Sequence, residues 1–313
     1  MITTALHSRK LLLVTGKGGT GKTTLSAALG RLAAERGRRT IVVEIDNFQP
    51  SLTAIFGRAP VYEPARVAPN LDVCNITWRE ALTEWLERTV PAQRLVKLIL
   101  EHKTVQTFLD ATPGARETMV LSRLLTLTEQ YDQVIVDMPA SGHAVSVLRV
   151  PHVAVSLMPG GPVGKRASEV LRLFKSGTTG LIIVALPEEM VVNETIELWE
   201  KLHHEVPELP RPTVVLNRAA SPSLSDDERR LISRLGGLGL HGPAAELLLS
   251  GQWEADLEVA TAEAITRLGA EVGAGLIVLP RLGSLGGFEG GPEKVVRQLA
   301  AALQRQALAE RAP

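Results

Sequence analysis

Short, almost uninterrupted apolar runs recur along the chain: KLLLVT (10–15), TIVVEI (40–45), LDVCNI (71–76), QVIVDM (133–138), TGLIIVAL (179–186), PTVVLN (212–217) and GLIVLP (275–280). Runs of this length without polar alternation read as strands covered on both faces. Between them, apolar residues fall at three- and four-residue spacing, which predicts helices over 22–36, 78–89, 91–109, 115–130, 163–175, 189–205, 225–235, 253–268 and 292–309. The alternation predicts an α/β fold, a doubly wound and mostly parallel sheet. A length of 313 residues leaves room for two domains. The strands nevertheless recur to the end of the chain with no Ser/Pro linker, so one domain over 1–313 is expected. Two connections, about 77–132 and 218–274, exceed a simple crossover and read as helical insertions, suited to binding a partner or to filling out the core. GSLGGFEGGP (283–292) reads as a loop before the last helix.

Composition narrows the function classes. Lys plus Arg equals Asp plus Glu at 34 each, so no global charge favours a polyanion and no nucleic-acid partner is expected. The single cysteine, Cys74, rules out an intramolecular disulfide or an all-cysteine metal site within one chain, and its strand context predicts burial. The segment MITTALHSRK lacks the apolar stretch of a signal peptide. The longest apolar runs are strand-length, so no transmembrane segment and a cytoplasmic location are expected.

The chemistry concentrates after the first strand. Gly16 to Thr23 fits G-x-x-x-x-G-K-[ST], between an apolar strand and an amphipathic helix. The small residues Gly16, Gly18, Gly19, Thr20 and Gly21 let backbone N–H groups wrap phosphates, and the helix start at Lys22, Thr23 and Thr24 adds unsatisfied donors. Lys22 is suited to the β- and γ-phosphates, and the Thr23 hydroxyl to magnesium. TIVVEID ends at Asp46, where a strand's C-terminal end meets the ligand crevice; Asp46 reads as orienting or deprotonating the attacking water, with a turn or helix-cap role as the alternative. QVIVDMPASGH presents Asp137 as the carboxylate that holds magnesium through water, followed by a loop over Pro139–Gly142 near the γ-phosphate. His143 reads as a structural or switch residue rather than an acid or base.

Lys17 is a second loop lysine that a plain phosphate loop does not need. The pattern K-G-G-x-G-K-[ST] resembles the deviant Walker A motif of dimerising P-loop ATPases such as MinD, ParA, the nitrogenase iron protein and the arsenite-pump ATPase. That resemblance implies that Lys17 reaches the nucleotide of a partner subunit, making hydrolysis depend on dimerisation. The stretches DMPASGH (137–143), SLTAIFG (51–57), TGLIIVALPEEMVVNETIEL (179–198) and VVLNRAASP (214–222) are together similar to one branch, the arsenite-pump and tail-anchored-protein-targeting ATPases. The likeness implies ATP and Mg2+ as cofactors, Asn217 as the adenine reader, Pro280 packed on the base and Gly142 near the phosphates. ATP is preferred to GTP because VLNRAA stands where a guanine-reading N-K-x-D would.

Departures from that branch are specific. D-N-F-Q-P-S-L is one residue longer than the usual D-P-A-H-S-L and lacks its proline after Asp46, so slowed or absent turnover is an open expectation. One cysteine does not support arsenite activation, and no C-x-x-C occurs over 218–235, so no zinc is expected. Residues 144–178 and five methionines leave little for a full tail-anchor groove. The expected activity is hydrolysis of ATP by a homodimer, or by a heterodimer with a paralogue, coupled to an unknown protein client. A positioning ATPase like MinD or ParA, a weakly hydrolysing subunit and a small-molecule synthase are the alternatives. The stripe Trp78, Leu82, Trp85, Leu86 and Val90, with Leu95, Leu98 and Ile99, reads first as core and second as client surface. Val295, Val296, Leu299 and Leu303 read as a helix face packed on the sheet.

Overall fold

The computed structural model describes residues 6, 8–47, 50–89, 114–158, 160–238, 241–282 and 291–309. Its strands are β1 Leu11–Gly16, β2 Thr40–Ile45, β3 Ala65–Ala68, β4 Leu71–Ile76, β5 Gln133–Asp137, β6 Thr179–Ala185, β7 Thr213–Ala219 and β8 Leu276–Pro280. They form one sheet in the order β3-β4-β2-β5-β1-β6-β7-β8. Every pairing is parallel except β3 with β4. The helices are α1 Lys22–Glu35, α2 Leu52–Phe56, α3 Trp78–Thr89, α4 Ala115–Gln130, α5 Ser141–Leu157, α6 Pro162–Lys175, α7 Glu189–Glu205, α8 Asp226–Leu235, α9 Pro243–Val272 and α10 Pro292–Ala309.

Side chains alternate along each strand, so the two sheet faces build two cores. One face buries Leu11, Leu13, Val134, Val136, Leu181 and Ile183 under α3–α7 and α9. The other buries Leu12, Val14, Val42, Ile135, Ile182 and Val184 under α1, α2 and α10. The α10 stripe lies in this second core, with Val296, Leu299 and Leu303 buried. Leu82 and Leu86 are buried in the first core with Trp78 and Trp85 packed against it, so the α3 half of the candidate client stripe is core. Val90, Leu95, Leu98, Ile99 and the helix expected over 91–109 lie outside the described residues.

Several elements differ from the pattern-based expectation. α5 carries Pro151 inside its length, a residue that reads as a helix stop; here it is buried and the helix continues. α9 begins at Pro243 rather than 253, continuing through Gly251, where Ile232 of α8 packs closely. The edge strand β3 and the five-residue α2 were too short to stand out by periodicity. No helix among the described residues is long and apolar enough to cross a membrane.

Candidate functional site

Adjacency in the sheet gathers the candidate residues. β2, β5 and β1 are neighbours, and their C-terminal ends deliver Asp46, Asp137 and the loop over 16–21 to one edge. Gly16 has φ 140° and a side chain there would run into the Val184 carbonyl. Gly21 has φ 95° and abuts the Asn217 amide. Both positions demand glycine, which fixes the loop's path between sheet and helix.

α1 opens at Lys22, so Lys22 and Thr23 stand at its N-terminus. The Lys22 Nζ donates to the Lys17 carbonyl at 3.0 Å, and the Thr20 hydroxyl donates to the same carbonyl at 2.9 Å. Burial pulls the Lys22 ammonium below its usual pKa, with the Asp137 charge opposing. The Thr23 hydroxyl donates to Asp137 Oδ2 at 2.5 Å. Burial pushes Asp137 up to about 6; the Thr23 bond and Lys22 oppose this, while the Glu44 charge adds to it. Gly18 and Gly19 are exposed at the loop's crest, and Thr24 is half-buried on α1.

Asp46 sits in left-handed backbone at φ 44°, unusual outside glycine. Its Oδ1 accepts from the Trp78 N–H at 3.2 Å, so it caps α3 from a distance. Its carboxyl is held above the ordinary range by burial, against the Trp78 bond and the charges of Arg116 and His143, with Glu117 adding. A cleft of about 600 Å³ is lined by Lys22, Thr23, Asp46, Asp137, Trp78, Arg116 and His143, among others.

The second loop is tighter than expected: α5 starts at Ser141, placing Gly142 and His143 in its first turn, both exposed. The Pro139 carbonyl accepts from the Thr15 hydroxyl at 3.3 Å, tying this corner to β1. The Lys17 Nζ lies 3.1 Å from Glu194 Oε2 of its own chain, and Glu194 Oε1 accepts from the Ser141 hydroxyl at 2.6 Å. Asn217 and Pro280 come from the ends of adjacent β7 and β8, where Pro280 pairs with Ala219. The Asn217 Nδ2 donates to the Thr20 carbonyl at 2.9 Å and its Oδ1 accepts from the Arg218 N–H at 3.0 Å. Asn217 thus braces the phosphate loop, and among the described residues neither it nor Pro280 lines the large cleft.

Two residues escaped the motif reading. Glu44, a lone carboxylate inside TIVVEI, is 1% exposed beside the cleft; its isolation in an apolar strand was the available signal. Glu194 joins the two loops from α7, which no local pattern announces.

The side chains fit a magnesium nucleotide. The glycine loop and the start of α1 form an anion cradle. Asp137 Oδ1 is buried without a hydrogen-bond partner, and oxygen donors from Thr23 and Asp137 suit a hard divalent cation. Among the described residues no three His, Cys, Asp or Glu converge, so such an ion would take most of its ligands from phosphate and water.

Residues 9–161 match the family described as anion-transporting ATPase, of the ArsA type. ATPase BagA of Mycobacterium tuberculosis is 29% identical over 227 residues, 68% of this chain and 66% of that protein. An arsenical pump-driving ATPase of Acidiphilium multivorum is 26% identical over 223 residues, 63% of this chain and 37% of that protein. An ATPase ASNA1 homolog of Entamoeba histolytica is 29% identical over 152 residues, 45% of this chain and 46% of that protein. The chain therefore spans no more than about two thirds of the length of these relatives. The phosphate loop, Asp46 and Asp137 all lie inside the matched segment, and it is this part of the chain that is similar to the ArsA-type ATPases.

Proposed function

We propose that this ATPase works as a dimeric molecular switch, in which closure around ATP and Mg2+ binds or releases a protein client. The convergence of Lys22, Thr23, Asp137 and Asp46 on one cleft at the strand ends is the observation that carries this reading. In it, the loop amides and Lys22 hold the phosphates, and bound Mg2+ supplies neutralising charge at the phosphate oxygens. Thr23 and Asp137, bonded to each other here, are the residues that would hold the cation, Asp137 through water. Asp46, which lines the same cleft, orients the attacking water, a role its elevated pKa suits. Lys17 acts on the partner subunit's nucleotide after leaving Glu194. Asn217 reads adenine with the amide hydrogen not engaged by Thr20, and Pro280 packs on the base. The insertions around α3–α4 and α8–α9 carry the client-facing change, one domain spans the chain, and its place is the cytoplasm. Homodimer and paralogue heterodimer both satisfy this chemistry.

The test is solution mass with Mg·ADP·fluoroaluminate for wild type and Lys17→Ala. Wild type is expected to double in mass while the variant stays monomeric. A wild type that binds the transition-state mimic yet never doubles rules out the homodimer. A wild type that does not bind the mimic rules out the hydrolytic site.

A further inference from the structure

Glu44 stands in a place that no loop motif covers. It is the register partner of Asp137 across the parallel β2–β5 pair, so both side chains leave the same face of the sheet on strands about 4.8 Å apart. Glu44 is 1% exposed. Its Oε1 is engaged: it accepts from the Ser51 N–H at 2.7 Å, the Asn47 Nδ2 at 3.0 Å and the Leu52 N–H at 3.4 Å. Its Oε2 is buried with no hydrogen-bond partner, as is Oδ1 of Asp137. Both residues border the cleft that Lys22 and Thr23 line. Two neighbouring carboxylates, each with an unsatisfied buried oxygen, are costly to leave uncompensated. Lys22 is turned to the Lys17 carbonyl and satisfies neither orphaned oxygen.

We propose that Glu44 is a positioning residue for the magnesium–nucleotide complex: its free oxygen would face the hydration shell of a cation held beside Asp137, while its other oxygen grips the loop after Asp46 at Asn47, Ser51 and Leu52. This rests on the nucleotide-site reading above and adds a coupling to it. The loop after Asp46 is the part of the sequence that departs from the family's usual spacing, and Glu44 is its anchor on the strand side. Water of the metal shell would bond the orphaned Oε2, which fixes the side chain and with it the grip of Oε1 on the loop amides. Loss of the cation leaves the same carboxylate opposed to Asp137 and weakens that grip. The switch thereby senses the cation through one side chain.

The experiment is an electron-paramagnetic-resonance titration of Mn2+ into the protein·ADP complex, for wild type and Glu44→Gln. Glutamine keeps an acceptor for the loop and removes the charge. Weakening of Mn2+ binding by about tenfold or more is expected, the size typical of a lost outer-shell partner. ADP affinity in EDTA should stay within about twofold, since Glu44 is assigned no direct contact with the nucleotide. A variant that binds Mn2+ as wild type does overturns the proposal. Hydrogen exchange of wild type with ADP provides a check that needs no variant: peptides over 50–56 should gain protection on adding Mg2+. Unchanged exchange there also overturns it. Wild type that binds ADP in EDTA but no Mn2+ in its presence overturns the proposal and leaves the nucleotide cradle standing. Wild type that binds neither sinks the site reading itself.

Discussion

A carboxylate in left-handed backbone at the mouth of a cleft is strained where it sits, and Asp46 is held there by its bond to the Trp78 N–H. Asp46→Asn preserves that acceptor and removes the charge. Hydrolysis is expected to fall by about 100-fold or more, within the range for a lost proton acceptor, with ATP affinity nearly unchanged. Single-turnover kinetics beside equilibrium binding check this; equal losses in both would make Asp46 a structural cap only. Cys74 predicts the opposite kind of result. It is 0% exposed on β4 and burial pushes its thiol up to about 12, so native protein should resist disulfide reagents and react with one equivalent only when denatured. The candidate residues at Gly16–Thr23, Asp46 and Asp137 were legible in sequence because each sits at a strand end marked by local pattern. Glu44 and Glu194 were not, since their roles rest on partners brought close by the sheet and by α7 packing.

At the scale of elements, α8 buries no residue, so its place against α9 depends on polar anchors. Glu258 of α9 is the main one, accepting from the Ser223 N–H at 2.6 Å, the Ser223 hydroxyl at 2.8 Å and the Leu224 N–H at 3.2 Å, with Arg229 at 2.5 Å. Burial alone would raise the Glu258 carboxyl, but these bonds and the Arg229 charge carry it below its ordinary value. A depressed acid contributes stability above its unfolded pKa and loses it as pH falls through the folded one. The anchor is therefore whole above the ordinary glutamate value of 4.5 and released below its depressed value. Glu258→Gln should lower the melting temperature at pH 7, and the difference from wild type should shrink progressively as pH is taken below 4.5, read by thermal melts across that series. Proteolysis between 222 and 242 should accelerate in the variant. Sequence pattern placed a helix over 225–235 from its apolar spacing, and the structure adds a Ser225–Glu228 capping box at its start. The same pattern placed the start of α9 late, because Gly251 reads as punctuation when Ile232 packed over it is not in view.

For the whole molecule, the Lys17–Glu194 pair is the contact that the proposed dimerisation would have to break. If Lys17 serves a partner's nucleotide, it must leave a carboxylate that also receives the Ser141 hydroxyl from the second loop. The pair is half-exposed, 36% on Lys17 and 37% on Glu194, so its contribution is that of a surface ion pair, about 0.2–1 kcal/mol after solvent screening. Glu194→Gln keeps an acceptor for Ser141 and frees Lys17. It should tighten nucleotide-dependent dimerisation by up to about fivefold for each pair released, the equivalent of about 1 kcal/mol, and so by up to about 25-fold for a homodimer that releases two. Sedimentation velocity with Mg·ADP·fluoroaluminate at several protein concentrations measures this. Salt separates the electrostatic origin from any change in packing: raising it toward 0.5 M should bring wild type toward the variant, because a half-exposed pair is screened. Weaker dimerisation in Glu194→Gln would assign Glu194 to the interface itself, and the ion pair would then belong to the closed state instead of holding Lys17 back from it.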